Sequence, residues 1–136
     1  MIKPVFEESA IRALDMGQLL ATLLLEDEVR EHHLLCALIQ ASVSDKQLKR
    51  NIRLFGLKFD GYLIKQGIKP SRLKVVLPFS LDLKEVIDRA ISLSLPKGRL
   101  GCSHLLKALL SSEREELDCF RDKYCITDEQ VSSIKI

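Results

Sequence analysis

The chain has 136 residues, 46% of them apolar and 29% charged, with a formal net charge of +2 and no Trp. That is one domain's worth of chain with an aliphatic core, and with aromatics at only 5% it suits packed helices better than a sheet sandwich. No apolar run reaches the roughly 18–20 residues that span a bilayer, and Met1–Glu8 carries no signal-peptide core, so neither a membrane span nor a secretory leader is expected.

From residue 7 onward, Ala10, Ala13, Leu14, Gly17, Leu20, Ala21 and Leu24 recur at helical spacing and predict a first amphipathic helix, with Glu7 and Glu8 in its favourable first turn. After an acidic turn comes a second helix over His33-Leu34-Leu35-x-Ala37-Leu38, for which Glu31 offers a poor N-cap. Residues 45–55 predict a third helix on Leu48 and Ile52, ended by Gly56, and residues 59–66 a fourth, short one. Gly67, Pro70 and Pro78 mark a linker, in which Leu73 to Leu77 is the only strand-like run.

The same order then returns. Phe79 matches Phe6, Ser80 is a natural N-cap, and Leu83, Val86, Ile87, Ala90, Ile91 and Ser94 form one face, ended by Pro96 and Gly98. His104-Leu105-Leu106-x-Ala108-Leu109 repeats the His block 71 residues later, with Ser103 as the expected cap. Residues 114–124 answer 45–55, and a short helix over 127–135 closes the copy. Five matches in seven positions, flanked by elements in the same order, indicate duplication. The expected fold is all-α: a single domain over 1–136 made of two tandem four-helix repeats, 5–66 and 79–136, joined by linker 67–78 and related by a pseudo-two-fold axis.

Charge is unevenly spread. Residues 46–74 hold nine basic side chains and one acidic, whereas residues 1–45 hold three basic and eight acidic. The basic block reads either as a solvated face or as a docking surface for an acidic partner or a phosphate. Nucleic acid is the less favoured partner, because Phe55 aligns with Tyr124 as a core position and leaves only Phe59 and Tyr62 for stacking.

The opening Phe6, then Ala10, Ala13, Leu14, Val29 and the His33 block, repeated as Phe79, Ala90, Leu100, Gly101 and the His104 block, resembles the Clp N-terminal repeat. The resemblance runs from about residue 5 to the end. It implies the N-terminal domain of an unfoldase of the ClpA, ClpC or ClpB type, which docks adaptors and substrates and does no chemistry. The alternative it implies is a free-standing regulator that binds the Clp peptidase or ATPase ring. Phe6, His33, Leu34, Leu35, Phe79, His104, Leu105 and Leu106 are the structural signature. In phosphoarginine-binding members a Thr-Glu pair precedes the His; Glu31-His32 and Cys102-Ser103 stand here instead, which argues against guanidinium reading.

No GxxxxGK[ST] phosphate loop occurs, so no ATPase is expected. His33 and His104 are read as structural, their rings bonding the neighbouring turn, rather than as catalysts or, with His32, Cys36 and Cys102, as metal ligands. The four cysteines lack CxxC spacing and are expected to be reduced core residues. No enzyme activity, cofactor or metal is expected. The expected partner is a protein, met at Glu31 and His32 on the first repeat's turn and at Lys49, Arg50, Arg53 and Lys58 on and after the third helix. The domain alone is expected to be monomeric, in the cytoplasm, or in a plastid stroma had a targeting segment been removed.

Overall fold

The computed structural model describes residues 5–56, 77–95, 98–112 and 115–136. The helix expected over 59–66, Lys58, Pro96 and most of the linker lie outside the described residues. Within them the chain forms β1 (Val5–Phe6), α1 (Glu8–Leu23), α2 (Glu31–Ala41), α3 (Lys46–Leu54), α4 (Leu81–Ser94), β2 (Arg99–Leu100), α5 (Cys102–Leu110), α6 (Glu115–Lys123) and α7 (Asp128–Ser132).

The two histidine helices form the centre. Leu34, Leu38 and Ile39 of α2 and Leu105, Leu106, Leu109 and Leu110 of α5 are all fully buried, each worth about 2 kcal/mol of apolar transfer. α1 lies along α2 and α4 along α5. The small residues Ala10, Ala13, Gly17 and Ala21 give α1 a narrow inner face. α3 and α6 each touch both central helices, and α7 packs on α5. Leu24, counted in the inner stripe from spacing, is 46% exposed, because the helix has already ended there as a C-cap.

Helix ends follow local chemistry. Ser80 Oγ accepts the Leu83 N–H at 3.1 Å, as expected of a cap. Asp45 does the same for Leu48 at 3.0 Å and Thr127 for Gln130 at 3.2 Å. Gly56, just after α3, has φ +65°, the left-handed geometry that glycine adopts without a Cβ penalty. Leu25 and Cys125 hold the same geometry without that freedom, at +58° and +53°.

Two short strands were not foreseen from the sequence. β1 pairs in parallel with β2, Val5 with Arg99 and Phe6 with Leu100, and an isolated bridge joins Val29 to Phe79. Glu7 N–H donates to Leu100 O, and Ser80 N–H donates to Val29 O, both at 2.8 Å. Each pairing therefore ties the start of one sequence copy to the turn of the other. Two-residue strands carry too little alternation to be read in advance.

Candidate functional site

The expected contact residues fall in two places. The first is α3. Lys46, Lys49, Arg50 and Arg53 stand at i, i+3, i+4 and i+7, which is one helical face. Lys46, Arg50 and Arg53 are exposed and Lys49 is half-buried. Among the described residues no carboxylate forms an ion pair with any of them. The opposite face is anchored by fully buried Leu48 and Ile52.

Between those leucine and isoleucine positions sits Asn51, buried to 4% exposure. Its Nδ2 donates to Ser103 Oγ at 3.0 Å and to Lys135 O at 3.1 Å, and its Oδ1 accepts the Lys135 N–H at 3.3 Å. Gln47 Nε2 donates to the same Lys135 carbonyl at 3.1 Å. The cationic face is thus carried on a helix locked from behind, with the last residues of the chain clamped to it. Asn51 is not among the residues expected at the site; its signal in the sequence is a polar residue inside an apolar spacing, at the position that aligns with Phe120.

The second place is the start of α2. Glu31 was expected at the surface; it is 4% exposed, and Ser112 Oγ donates to its Oε2 at 3.4 Å. The correction has a simple cause: the helix begins at Glu31 itself, so its side chain turns inward to the end of α5 rather than out of a turn. A buried carboxylate of this kind cannot read a partner's guanidinium. His32 is half-buried, its ring centroid 4.0 Å from that of His33.

The caps expected from Glu31 and Ser103 are also replaced. The N-cap residues are Arg30 and Gly101, and neither uses a side chain. Instead His33 Nδ1 accepts the Arg30 backbone N–H and His104 Nδ1 accepts that of Gly101, both at 2.9 Å. A histidine at the third helical position does the work that Glu or Gln does in a capping box. Both histidines thus bond the turn that precedes their helices, and Leu34, Leu35, Leu105 and Leu106 are core.

Burial, followed by the neighbouring His32 and Arg30, pushes His33 down to about 4. Glu26, His32 and His33 bring one ligand-capable atom each within 4.8 Å of one another. However, His33 Nδ1 spends its lone pair on the Arg30 N–H, which puts the proton of the neutral ring on Nε2. His33 faces this group as a donor, and its Nε2 has no partner among the described residues.

Of the cysteines, Cys102 is buried and Cys36 half-buried, whereas Cys119 and Cys125 are exposed, contrary to the expectation of four core thiols. Leu117 gives α6 its buried contact and Cys119 falls off that face; Cys125 occupies the turn after the helix. Burial pushes the Cys102 thiol up to about 11, against a hydrogen bond with Ser9 and with help from the Asp45 and Glu7 carboxylates. Such a thiol is protonated and unreactive. An open cleft of about 470 Å³ lies beside the stripe, between Ser9 and Arg12 of α1 and Ser44, Lys46 and Gln47 around the start of α3. Among the described residues no helix is long and apolar enough to cross a membrane.

No protein-family model matches the sequence, and neither does any curated protein. Solved structures do match. A protein of a malarial protein secretion system superposes with a TM-score of 0.71 at 19% identity, over 95% of this chain and 90% of that one. The Hsp104 N-terminal domain from Candida albicans gives 0.66 at 18% identity, over 95% and 87%. The N-terminal domain of the chaperone ClpD from Arabidopsis thaliana gives 0.68 at 19%, over 95% and 90%. A mostly helical chain with its histidine helices at the centre, superposing along nearly its whole length on these domains, has the fold of a Clp N-terminal domain.

Proposed function

We propose that this chain is a non-catalytic protein-docking module that brings adaptors or substrates to a Clp-type unfoldase or protease machine, and that the face of α3 carrying Lys49, Arg50 and Arg53 is its contact surface. The observation that carries the reading is that face. Its cations have no carboxylate partner among the described residues, yet the helix beneath them is pinned by buried Leu48, Asn51 and Ile52. Cations held in place on a rigid support favour an acidic protein surface. Lys46 extends the stripe; His32 and Lys58, the latter outside the described residues, are further proposed contacts. The likeness to Hsp104 and ClpD N-terminal domains supports a chaperone setting. The paired caps at His33 and His104, and the crossed pairings of Phe6 with Leu100 and Phe79 with Val29, support a pseudo-two-fold arrangement of two repeats.

The test is a pull-down from lysate of the source organism, with this chain as bait, at low and high salt. Recovery of a Clp peptidase, a ring ATPase or a small adaptor, lost from the Lys49→Glu/Arg50→Glu/Arg53→Glu variant, is expected. Capture of a peptidase or ring without any adaptor would assign the chain as a regulator of that ring. Recovery of nucleic acid alone, lost in high salt, would overturn the docking reading.

A further inference from the structure

α3 and α6 occupy matching places in the two sequence copies, and each packs on both α2 and α5. Their charges are opposite. α3 carries four cations and no carboxylate, whereas residues 115–132 carry six carboxylates against Arg121 and Lys123. Those two cations are already engaged. Arg121 bonds Asp128, and the Lys123 ammonium lies 5.7 Å from the centre of the Tyr124 ring. Asp118, Asp122 and Glu129 are exposed and form no ion pair among the described residues. Of the other described carboxylates, Glu8 holds Arg12, Glu28 holds Arg30 and Glu26 faces His32 and His33, while the exposed Asp15 and Asp27 lie one on α1 and one in the turn after it. Those of α4 alternate with Lys84 and Arg89.

We infer that this chain associates with a second copy of itself, the cationic face of α3 in one copy seated on the α6 face that presents Asp118 and Asp122, one helical turn apart, in the other. The inference rests on reading α3 as a docking face and names one occupant for it. Contact between two α3 faces, or between two α6 faces, would bring like charges together. Only the unlike pairing is attractive, so charge selects the register as well as the partner. Because these are exposed charges, each pair contributes little and salt screens it. The association is therefore weak, concentration-dependent and strongest at low ionic strength. It also competes with an acidic partner for the same cations, so self-association and partner docking exclude one another on a given α3.

The experiment is sedimentation equilibrium of the full chain over a wide concentration range, at about 20 mM and about 500 mM salt. At low salt the weight-average mass should rise with concentration, and the association constant should drop at least about tenfold in high salt. Lys49→Glu/Arg50→Glu/Arg53→Glu and Asp118→Lys/Asp122→Lys should each be monomeric. Mixed in equal amounts they should associate again, because the reversed α3 of one then meets the reversed α6 of the other. That rescue requires both variants to be folded, and the milder Asp118→Asn/Asp122→Asn should weaken association without reversing charge. A wild-type chain that stays monomeric at every concentration would overturn the inference. So would loss of association on reversing α3 but not α6, or a mixture that fails to recover it. Reversing α6 leaves α3 intact, so the pull-down with that variant reports on partner docking independently.

Discussion

At the start of α2 and at the start of α5, a histidine accepts the backbone N–H of the residue just before the helix, at the same 2.9 Å. The surroundings differ. Arg30, Glu31 and His32 flank the first histidine, which is buried with its Nε2 unpartnered among the described residues. Gly101, Cys102 and Ser103 flank the second. There the Glu7 carboxylate lies so close to Gly101 that an added Cβ would sit 2.8 Å from its Oε2, and Asn51 closes the corner through Ser103 and Lys135. One backbone device is kept in both halves while the side chains around it diverge, so the cap belongs to the fold and the flanks hold whatever distinguishes the two ends.

Acid should separate the two corners most strongly. His33 binds its proton only near pH 4 in the folded chain, against about 6.5 when unfolded. Between those values the unfolded chain holds more protons than the folded one, so stability falls as pH drops through that window and levels off below it. The ceiling on this loss is about 3 kcal/mol. Protonation also removes the acceptor for the Arg30 N–H. Chemical denaturation from pH 7 to pH 4 should show the decline, and His33→Gln, which retains an acceptor at the third helical position, should flatten it.

Asn51→Ala acts on the second corner alone. It strips buried Ser103 Oγ of its partner and removes two part-buried bonds to the Lys135 backbone, whose carbonyl keeps Gln47, a loss of about 2 kcal/mol. Hydrogen exchange should then accelerate at the chain's end around Ile134 while the amides of α2 stay protected.

The smallest effect compares the ends of α3 and α6. Gly56 and Cys125 share left-handed geometry at matching positions. Cys125→Gly should raise stability by about 1 kcal/mol, and Gly56→Ala should lower it by about the same. Thermal melts of the two variants should move in opposite directions.

The helices and most of the core were legible because Leu, Ala and Ile recur at helical spacing and because the His block occurs twice. Ser80 and Gly56 announced their roles by residue type. What escaped depended on contacts across the chain. Glu31 turned inward because the helix starts one residue earlier than a capping reading allows. Asn51 found its partners in Ser103 and Lys135, more than fifty residues away by sequence. Of the site, the α3 stripe was readable as a run of charge, whereas its isolation from carboxylates within the described residues and its locked backing could be seen only in three dimensions.

The crossed pairings set an order on synthesis. β1 is made long before its mate, and its hydrogen-bonding edge is paired only when Arg99 and Leu100 have emerged. Val29 likewise waits for Phe79. Until then the early half presents unpaired strand edges and the apolar faces of α1 and α2, which is the state that invites aggregation. A product cut short before residue 100 would therefore leave the β1 edge without its mate.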